Sequence, residues 1–458
     1  MQKSLARIAA CAALCAVSFG ASGQCARFPA SASSAFDPVA GKIGLPWRTD
    51  LPSSAGSRAY PWQDKDFAQD WKAYIASVLD EVKASGVSIR NGRISMAPQA
   101  EWWIAPWMDF GASGRERING LTAERKPDAG DLSPTSAKGY ETWAIGWYNR
   151  PGAYGMGQIY QDPCDPKVPA GWRFPEQSAA FKLLFSSASA SEVAYLAGAP
   201  EVEADTKRNG DATSATRLKL IQMDIAIRDP RAKDTHWVMG TFIWQGPPKG
   251  DGLFDNLVPV GLMWGNDPGV AANDWQAFAP LMQTILNADL AGVVWQGHGT
   301  PWPQRPFPGF QGRLNGPADN LRSSCLSCHA TAQWRRNGLG MAPSLPKDPR
   351  QPDMTPEKVR ALTAQYFTNT PGGTLVDPSS GQTPLDYSLQ LEVGFNRMCA
   401  ACSEGKLTGA TPQVCQVPSS SAREPAISRA TCDKNPLEKL IQFFSVSPAP
   451  EERTLPRQ

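Results

Sequence analysis

The chain has 458 residues, of which 41% are hydrophobic and 19% are charged, and this balance supplies enough apolar side chains for a large folded core. The formal net charge is +2, so overall charge does not favour a nucleic acid partner. The length predicts about two or three domains.

Residues 1–23 have the layout of a secretory signal peptide. A short positive region precedes an apolar run from Ile8 to Phe19, and small residues follow it. The run is too short to span a bilayer, so we predict cleavage after Gly23, export to the periplasm and no transmembrane anchor in the mature chain. Cys25 leaves a lipoprotein as an alternative, although the glutamine before it fits that signal poorly.

Residues 24–300 are predicted to form a β-rich domain. Asp66–Ser85 carries apolar residues at three- and four-residue steps, which predicts an amphipathic helix. A second helix is predicted at Asp274–Asn287. Short apolar and aromatic runs between residues 90 and 270, separated by Gly, Pro and Asn, predict strands. These runs are Glu101–Trp107, Thr142–Trp147, Ala180–Phe185, Leu218–Ile227, Trp237–Trp244 and Val258–Trp264.

Tryptophan is concentrated in this first part of the chain, which holds 14 of the 16 Trp residues. We interpret these side chains as packing elements of a β-rich core, with an aromatic-lined ligand cleft as the alternative. The chain has no Gly-rich phosphate loop, no H-E-x-x-H pair and no G-x-S-x-G turn. The sequence therefore offers no familiar nucleotide, zinc-protease or esterase site.

Residues 301–318 are rich in proline and glycine and are predicted to connect two domains. After them we predict a smaller, mainly α-helical and loop-rich domain at 319–445, with a helix from Thr355 to Phe367. Residues 446–458 are predicted to be a disordered tail. The predicted fold class is therefore α+β.

The sequence Cys325-Leu326-Ser327-Cys328-His329 contains the motif C-x-x-C-H. Two thiols at this spacing can bond to the two vinyl-derived carbons of one porphyrin, and the next side chain can then offer an imidazole nitrogen to the iron. We therefore predict one covalently attached haem c, with His329 as an axial iron ligand. The alternatives are a Cys325–Cys328 redox disulfide and a zinc site, which would lack a second ligand pair.

The motif resembles the haem site of c-type cytochromes. The segments Gly312–Thr331 and Val260–Pro268 are similar to parts of large bacterial cytochrome c-domain proteins, which join a Trp-rich N-terminal region to one C-terminal haem motif. Their function is unsettled. The resemblance implies single-electron transfer in the periplasm with an unidentified redox partner protein. A peroxidase- or oxidase-like haem enzyme and a haem-based sensor, each with an open sixth iron position, are the alternatives.

The sixth iron ligand is left open by the sequence. Met398 lies 69 residues after His329, and Met341 lies in a Gly- and Pro-flanked segment only 12 residues after it. His298 could give bis-histidine ligation, and an open position is the remaining alternative. Both methionines are also candidates for core packing, and His236 is expected to be structural.

Six cysteines remain in the mature chain once two are assigned to haem, and an oxidising compartment predicts disulfides for them. They are Cys25, Cys164, Cys399, Cys402, Cys415 and Cys432. We expect the first two to pair with each other. The last four are expected to form two disulfides, with a four-thiolate metal site as the alternative. The second C-x-x-C sequence is followed by serine rather than histidine, which argues against a second attached haem.

Overall fold

The computed structural model describes the chain in twelve ranges: 47–48, 50–105, 114–133, 136–137, 139–207, 215–250, 252–270, 281–290, 309–320, 323–334, 355–403 and 410–416. The predicted signal peptide, Cys25, His298, Met341, Cys432 and the predicted tail lie outside these ranges.

The described residues form helices and a large antiparallel sheet. The helices are α1 (Trp71–Ala84), α2 (Arg150–Ile159), α3 (Cys325–Ala330), α4 (Pro356–Tyr366) and α5 (Leu389–Ser403). The strands are β1 (Ser88–Arg90), β2 (Arg93–Ser95), β3 (Trp102–Ile104), β4 (Thr122–Ala123), β5 (Thr142–Asn149), β6 (Ala179–Ser186), β7 (Glu201–Ala204), β8 (Thr216–Arg228), β9 (Trp237–Trp244), β10 (Leu257–Met263), β11 (Thr284–Leu286), β12 (Gln333–Trp334) and β13 (Thr383–Pro384).

The main sheet has nine strands within the described ranges, in the order β11-β10-β9-β8-β6-β5-β3, with β4 paired to β5 and β7 paired to β8. Pairings between these strands are antiparallel. Every residue of β5 and β9 is buried. Both faces of the sheet are therefore covered, which explains why these strands are largely apolar instead of alternating with polar residues.

The two faces of the sheet belong to different core clusters. The α1 face, which includes Phe185 and Met223, packs against helix α1. Asp70 caps that helix by accepting from the Ala73 backbone N–H at 3.2 Å. The opposite face, here called the motif face, includes Leu184 and is covered by α2, α3 and α5.

A β-bulge redirects the side chains of β8. Its register against β6 shifts between Leu184 and Phe185. Before the shift Leu220 points to the α1 face, and after it Met223 does so again. A bulge inserts one extra residue and so changes which positions share a face. As a result, Gln222 and Asp224 lie on the motif face.

The β-rich character of the first part is confirmed, and the observed helices and antiparallel sheet are compatible with the α+β class. Each of the six strand runs overlaps an observed strand, and the two helices at Asp66–Ser85 and Thr355–Phe367 are observed as α1 and α4. The helix predicted at Asp274–Asn287 is wrong where the structure describes it, because Thr284–Leu286 forms edge strand β11. Residues 271–280 lie outside the described ranges.

The tryptophans observed in the structure support the core interpretation. Five of them are among the largest fully buried side chains: Trp62, Trp103, Trp143, Trp147 and Trp244. The core also crosses the predicted domain boundary, since Leu326 and Ala330 of α3 share a cluster with Met239 and Ile243 of β9. Helix α3 thus packs directly on the β-sheet.

Candidate haem site

Helix α3 begins at the first cysteine of the motif because Ser324 caps it. The Ser324 hydroxyl accepts from the Ser327 backbone N–H at 3.0 Å, and the Ser327 hydroxyl accepts from the Ser324 backbone N–H at 2.9 Å. This reciprocal pair is a capping box, here formed by two serines. Ser324 also donates to the side-chain oxygen of Asn266 at 2.9 Å. The start of the motif is therefore fixed to the loop after β10.

The three chemically reactive side chains of the motif share one side of α3. Cys325, Cys328 and His329 are spaced at i, i+3 and i+4, which places them on one helix face. All three retain some exposed surface, whereas Leu326 and Ala330 are buried in the core. The helix thus packs by one side and presents two thiols and an imidazole on the other.

Both thiols of the motif are free in the structure. Burial raises the pKa of Cys325 well above its ordinary value and that of Cys328 to about 11, and the Asp319 charge adds to both shifts. Both groups are therefore protonated thiols at neutral pH rather than thiolates. The structure therefore holds the Cys325–Cys328 pair in its reduced form.

The imidazole of His329 is oriented by one backbone hydrogen bond. Its Nδ1 lies 2.9 Å from the Tyr387 carbonyl oxygen. Because a carbonyl can only accept, the proton is assigned to Nδ1 and the Nε2 lone pair is left available. Burial lowers the pKa of His329, which favours the neutral ring. A neutral histidine with one nitrogen bound to a carbonyl is the usual state of a metal-ligating histidine.

The two segments that carry the family resemblance meet around α3. Arg313, which is 0% exposed, donates from Nε to the Asn266 carbonyl at 2.6 Å and from Nη2 to the Asp267 carbonyl at 3.0 Å. Its guanidinium also lies 4.5 Å from the centre of the Phe367 ring. Arg313 thereby joins the segment before the motif, residues 309–320 and here called the strap, to the loop after β10 and to the end of α4.

A row of polar side chains crosses the motif face. Lys182 on β6 is level with Asp224 on β8, and Asp224 is level with Thr241 on β9. The Lys182 ammonium lies 3.1 Å from the Asp224 carboxylate, and the Thr241 hydroxyl donates to that carboxylate at 2.6 Å. Burial opposes the charge of Lys182, but Asp224 raises its pKa overall. The row is therefore a charged network within an apolar sheet.

This polar row continues into the strap before the motif. Gln222 donates to Asp224 at 3.0 Å and to Asp319 at 3.2 Å, and its oxygen accepts from the Ala318 backbone N–H at 3.1 Å. A Cβ at Gly316 would lie 2.4 Å from the Gln222 amide, so only glycine permits this approach. Burial, followed by the charge of Asp224, raises the pKa of Asp319.

Sequence reasoning missed these polar residues, although a signal was available. Lys182 is the only charged residue of the run Ala180–Phe185, and Asp224 is the only acidic residue of β8. A charged residue inside a strand that is otherwise apolar on both faces requires a buried partner. That rule could have paired Lys182 with Asp224 before the structure was known.

The candidates for the sixth ligand are only partly described. Met398 on α5 is fully buried in the core cluster that also contains Leu326 of α3. His236 lies immediately before β9 with a left-handed φ of 61°. Met341 and His298 fall outside the described ranges. Met398 therefore has an observed packing role, and its role as an iron ligand stays a prediction.

The cysteines outside the motif form disulfides where they are described. Cys399 on α5 bonds to Cys415, with their Cα atoms 5.2 Å apart. Cys164 and Cys402 are also disulfide-bonded. The four-thiolate alternative is contradicted at three of its four proposed ligands, because Cys399, Cys402 and Cys415 are disulfide-bonded. The Cys25–Cys164 pairing stays a prediction, since Cys25 is not among the described residues.

No protein-family model, curated protein sequence or solved structure matches this chain. In the part of the chain that the structure describes, no group of three or more His, Cys, Asp and Glu side chains is arranged to hold a metal ion. Over those same residues, no helix combines the length and apolar character needed to cross a membrane.

Proposed function

We propose that this protein is a periplasmic monohaem c-type cytochrome that transfers single electrons through one covalently bound haem c. The observation that carries the proposal is the arrangement of α3. Two free thiols lie on the same helix face as a histidine whose Nδ1 is bound to a carbonyl 2.9 Å away. This leaves Nε2 of His329 as the nitrogen available to iron.

The residues present fit a covalently bound haem. Cys325 and Cys328 would hold it through two thioether bonds, and His329 would bind its iron. When bound, haem supplies a one-electron Fe³⁺/Fe²⁺ couple. The chain itself fixes the position of these groups through the Ser324 cap and the Arg313 contacts, and it packs α3 against the sheet.

The finer division of the chain is part of this proposal. Residues 319–445 would form the haem-bearing region, which includes α3, α4 and α5. The β-rich region before it would dock a redox partner protein or recognise a substrate. Export to the periplasm rests on the signal-like segment at residues 1–23, and export would place the chain where haem is attached to such motifs.

A haem enzyme, peroxidase-like or oxidase-like, is the second candidate, and a haem-based sensor belongs with it. The polar row on the motif face favours this class, because its members Asp319 and Lys182 lie close enough to influence the pKa of both motif thiols. Polar and acidic groups beside an iron with an open sixth position can donate protons to a bound small molecule. An electron carrier instead benefits from a buried, six-coordinate iron.

Optical spectra of the purified, exported protein separate the two candidates. An electron carrier predicts a low-spin six-coordinate spectrum in both oxidation states, with no change when carbon monoxide is added to the reduced protein. A high-spin spectrum that responds to peroxide or carbon monoxide would refute the simple carrier and support the enzyme or sensor. Met398→Ala should convert low-spin to high-spin protein if Met398 is the sixth ligand.

A further inference from the structure

The carbonyl that orients His329 is presented by an unusual backbone segment. Asp386 and Tyr387 both adopt left-handed backbone conformations, with φ of 44° and 68°. Neither is glycine, so each conformation costs free energy that surrounding contacts must offset. Two such residues in succession, immediately at the carbonyl that faces the histidine, indicate a segment whose shape is imposed by its anchors.

The main anchor is the Asp386 carboxylate, which belongs to a residue that is 2% exposed. Its Oδ1 accepts from the Trp237 indole N–H at 2.9 Å. Its Oδ2 accepts from the Phe174 backbone N–H at 2.7 Å and lies 3.4 Å from Nε of Arg228. Three donors from two strands and one loop thus converge on one side chain, which ties the segment to the rigid sheet.

The residues on either side of Asp386 are held as well. The Tyr387 hydroxyl donates to the Thr370 carbonyl at 2.6 Å, and the Leu385 backbone N–H donates to the Ala332 carbonyl at 3.1 Å, just after α3. A Cβ at position 372 would lie 2.7 Å from Asp386 Oδ1, so Gly372 lets the chain pass close to the carboxylate. The Tyr387 carbonyl therefore has little freedom to move relative to His329.

We propose that Asp386 is a positioning residue for the axial histidine: by fixing the Tyr387 carbonyl against Nδ1 of His329, it sets the reduction potential of the bound iron. This inference rests on the proposed function. A strong Nδ1–H···O=C bond makes the imidazole a better electron donor, and a better donor favours Fe³⁺ over Fe²⁺. Loosening the carbonyl therefore favours Fe²⁺ and raises the potential.

The test is Asp386→Asn in the haem-loaded, full-length protein. Asparagine keeps the size of aspartate and can still accept from Trp237 through its oxygen. Its amide nitrogen then faces the Phe174 N–H and Arg228, neither of which it can accept from. We expect the reduction equilibrium to shift about tenfold toward Fe²⁺, which is about 59 mV for a one-electron couple. We also expect the iron–histidine stretching frequency to fall in resonance Raman spectra.

Two further variants separate positioning from general destabilisation. Trp237→Phe removes only one donor to Asp386 and should give a smaller shift in the same direction. Asp205→Asn is the matched control, because Asp205 is 2% exposed and pairs with Arg117 at 3.0 Å. It should lower stability without changing the potential or the iron–histidine frequency.

The possible results distinguish failure of this inference from failure of the proposed function. Unmutated protein without haem would refute the proposed function. Loaded Asp386→Asn protein with an unchanged potential and an unchanged iron–histidine frequency would overturn the positioning role alone. If Asp386→Asn does not load haem, Trp237→Phe decides: a raised potential supports the role, and an unchanged potential overturns it.

Discussion

Arg313→Met should cost about 3 to 5 kcal/mol of folding free energy, because it leaves several buried carbonyl acceptors without a donor. The guanidinium donates to the carbonyls of Asn266, Asp267, Val270 and Phe310 at 2.6–3.3 Å, and to the Gln311 side chain at 3.2 Å. Hydrogen bonds to charged groups contribute about 1.5–3 kcal/mol each, but the desolvation of Arg313 offsets part of this sum. Burial lowers the pKa of Arg313 to about 10, so the side chain still carries its charge at pH 7.

The assay is urea unfolding followed by tryptophan fluorescence, with the denaturant slope compared between variants. Arg313→Lys should lose less than the methionine variant, because lysine keeps the charge but cannot reproduce the planar fork of donors. Arg360→Met is the control, since Arg360 is exposed and pairs with Glu357 on α4 at 3.2 Å. It should change stability by less than about 0.5 kcal/mol. A loss below about 1 kcal/mol for Arg313→Met would refute this account of the strap.

Three further predictions concern the surroundings of the motif. Ser324→Ala should destabilise the protein by about 1 to 2 kcal/mol, because it removes the α3 cap; unchanged urea unfolding would show that the cap is not needed. Burial raises the pKa of Glu392 from 4.5 to about 7, so the folded protein retains a proton that the unfolded chain loses. Stability should therefore fall by about 2 kcal/mol, after allowance for solvent screening, as the pH rises from about 4.5 to about 7. Glu392→Gln should abolish that fall, and an identical pH profile for the two proteins would contradict the assignment. Replacing Cys399 and Cys415 together by alanine opens a disulfide that spans 16 residues. This change should cost about 3 kcal/mol, measured without reductant, and a loss near zero would argue against a stabilising role.

The strands could be predicted from the sequence because their composition carries the signal directly. The run Trp237–Trp244 is rich in β-branched and aromatic residues and matches β9 from end to end. The helix at Asp274–Asn287 was mispredicted because edge pairing to β10 determines the conformation of Thr284–Leu286. Local pattern cannot report a partner strand that lies elsewhere in the chain.

The candidate haem site could also be predicted from the sequence only in part. The motif Cys325–His329 is visible in the sequence because its spacing follows from the porphyrin it would hold. The acceptor for His329 is not visible, because every residue has a backbone carbonyl and only the fold selects that of Tyr387. The placement of Asp224 on the motif face likewise depends on the bulge in β8, which hydrophobic alternation alone does not reveal.

The central claim is covalent attachment of one haem to α3, and pyridine haemochrome analysis tests it most directly. The protein should be produced with its signal segment in a host that matures c-type cytochromes. We expect about one haem per chain in the unmutated protein and a large loss of covalent haem in Cys328→Ser. Cys399→Ser, which removes a disulfide cysteine outside the motif, should retain the haem. Folded, exported, unmutated protein that contains no haem would contradict the account.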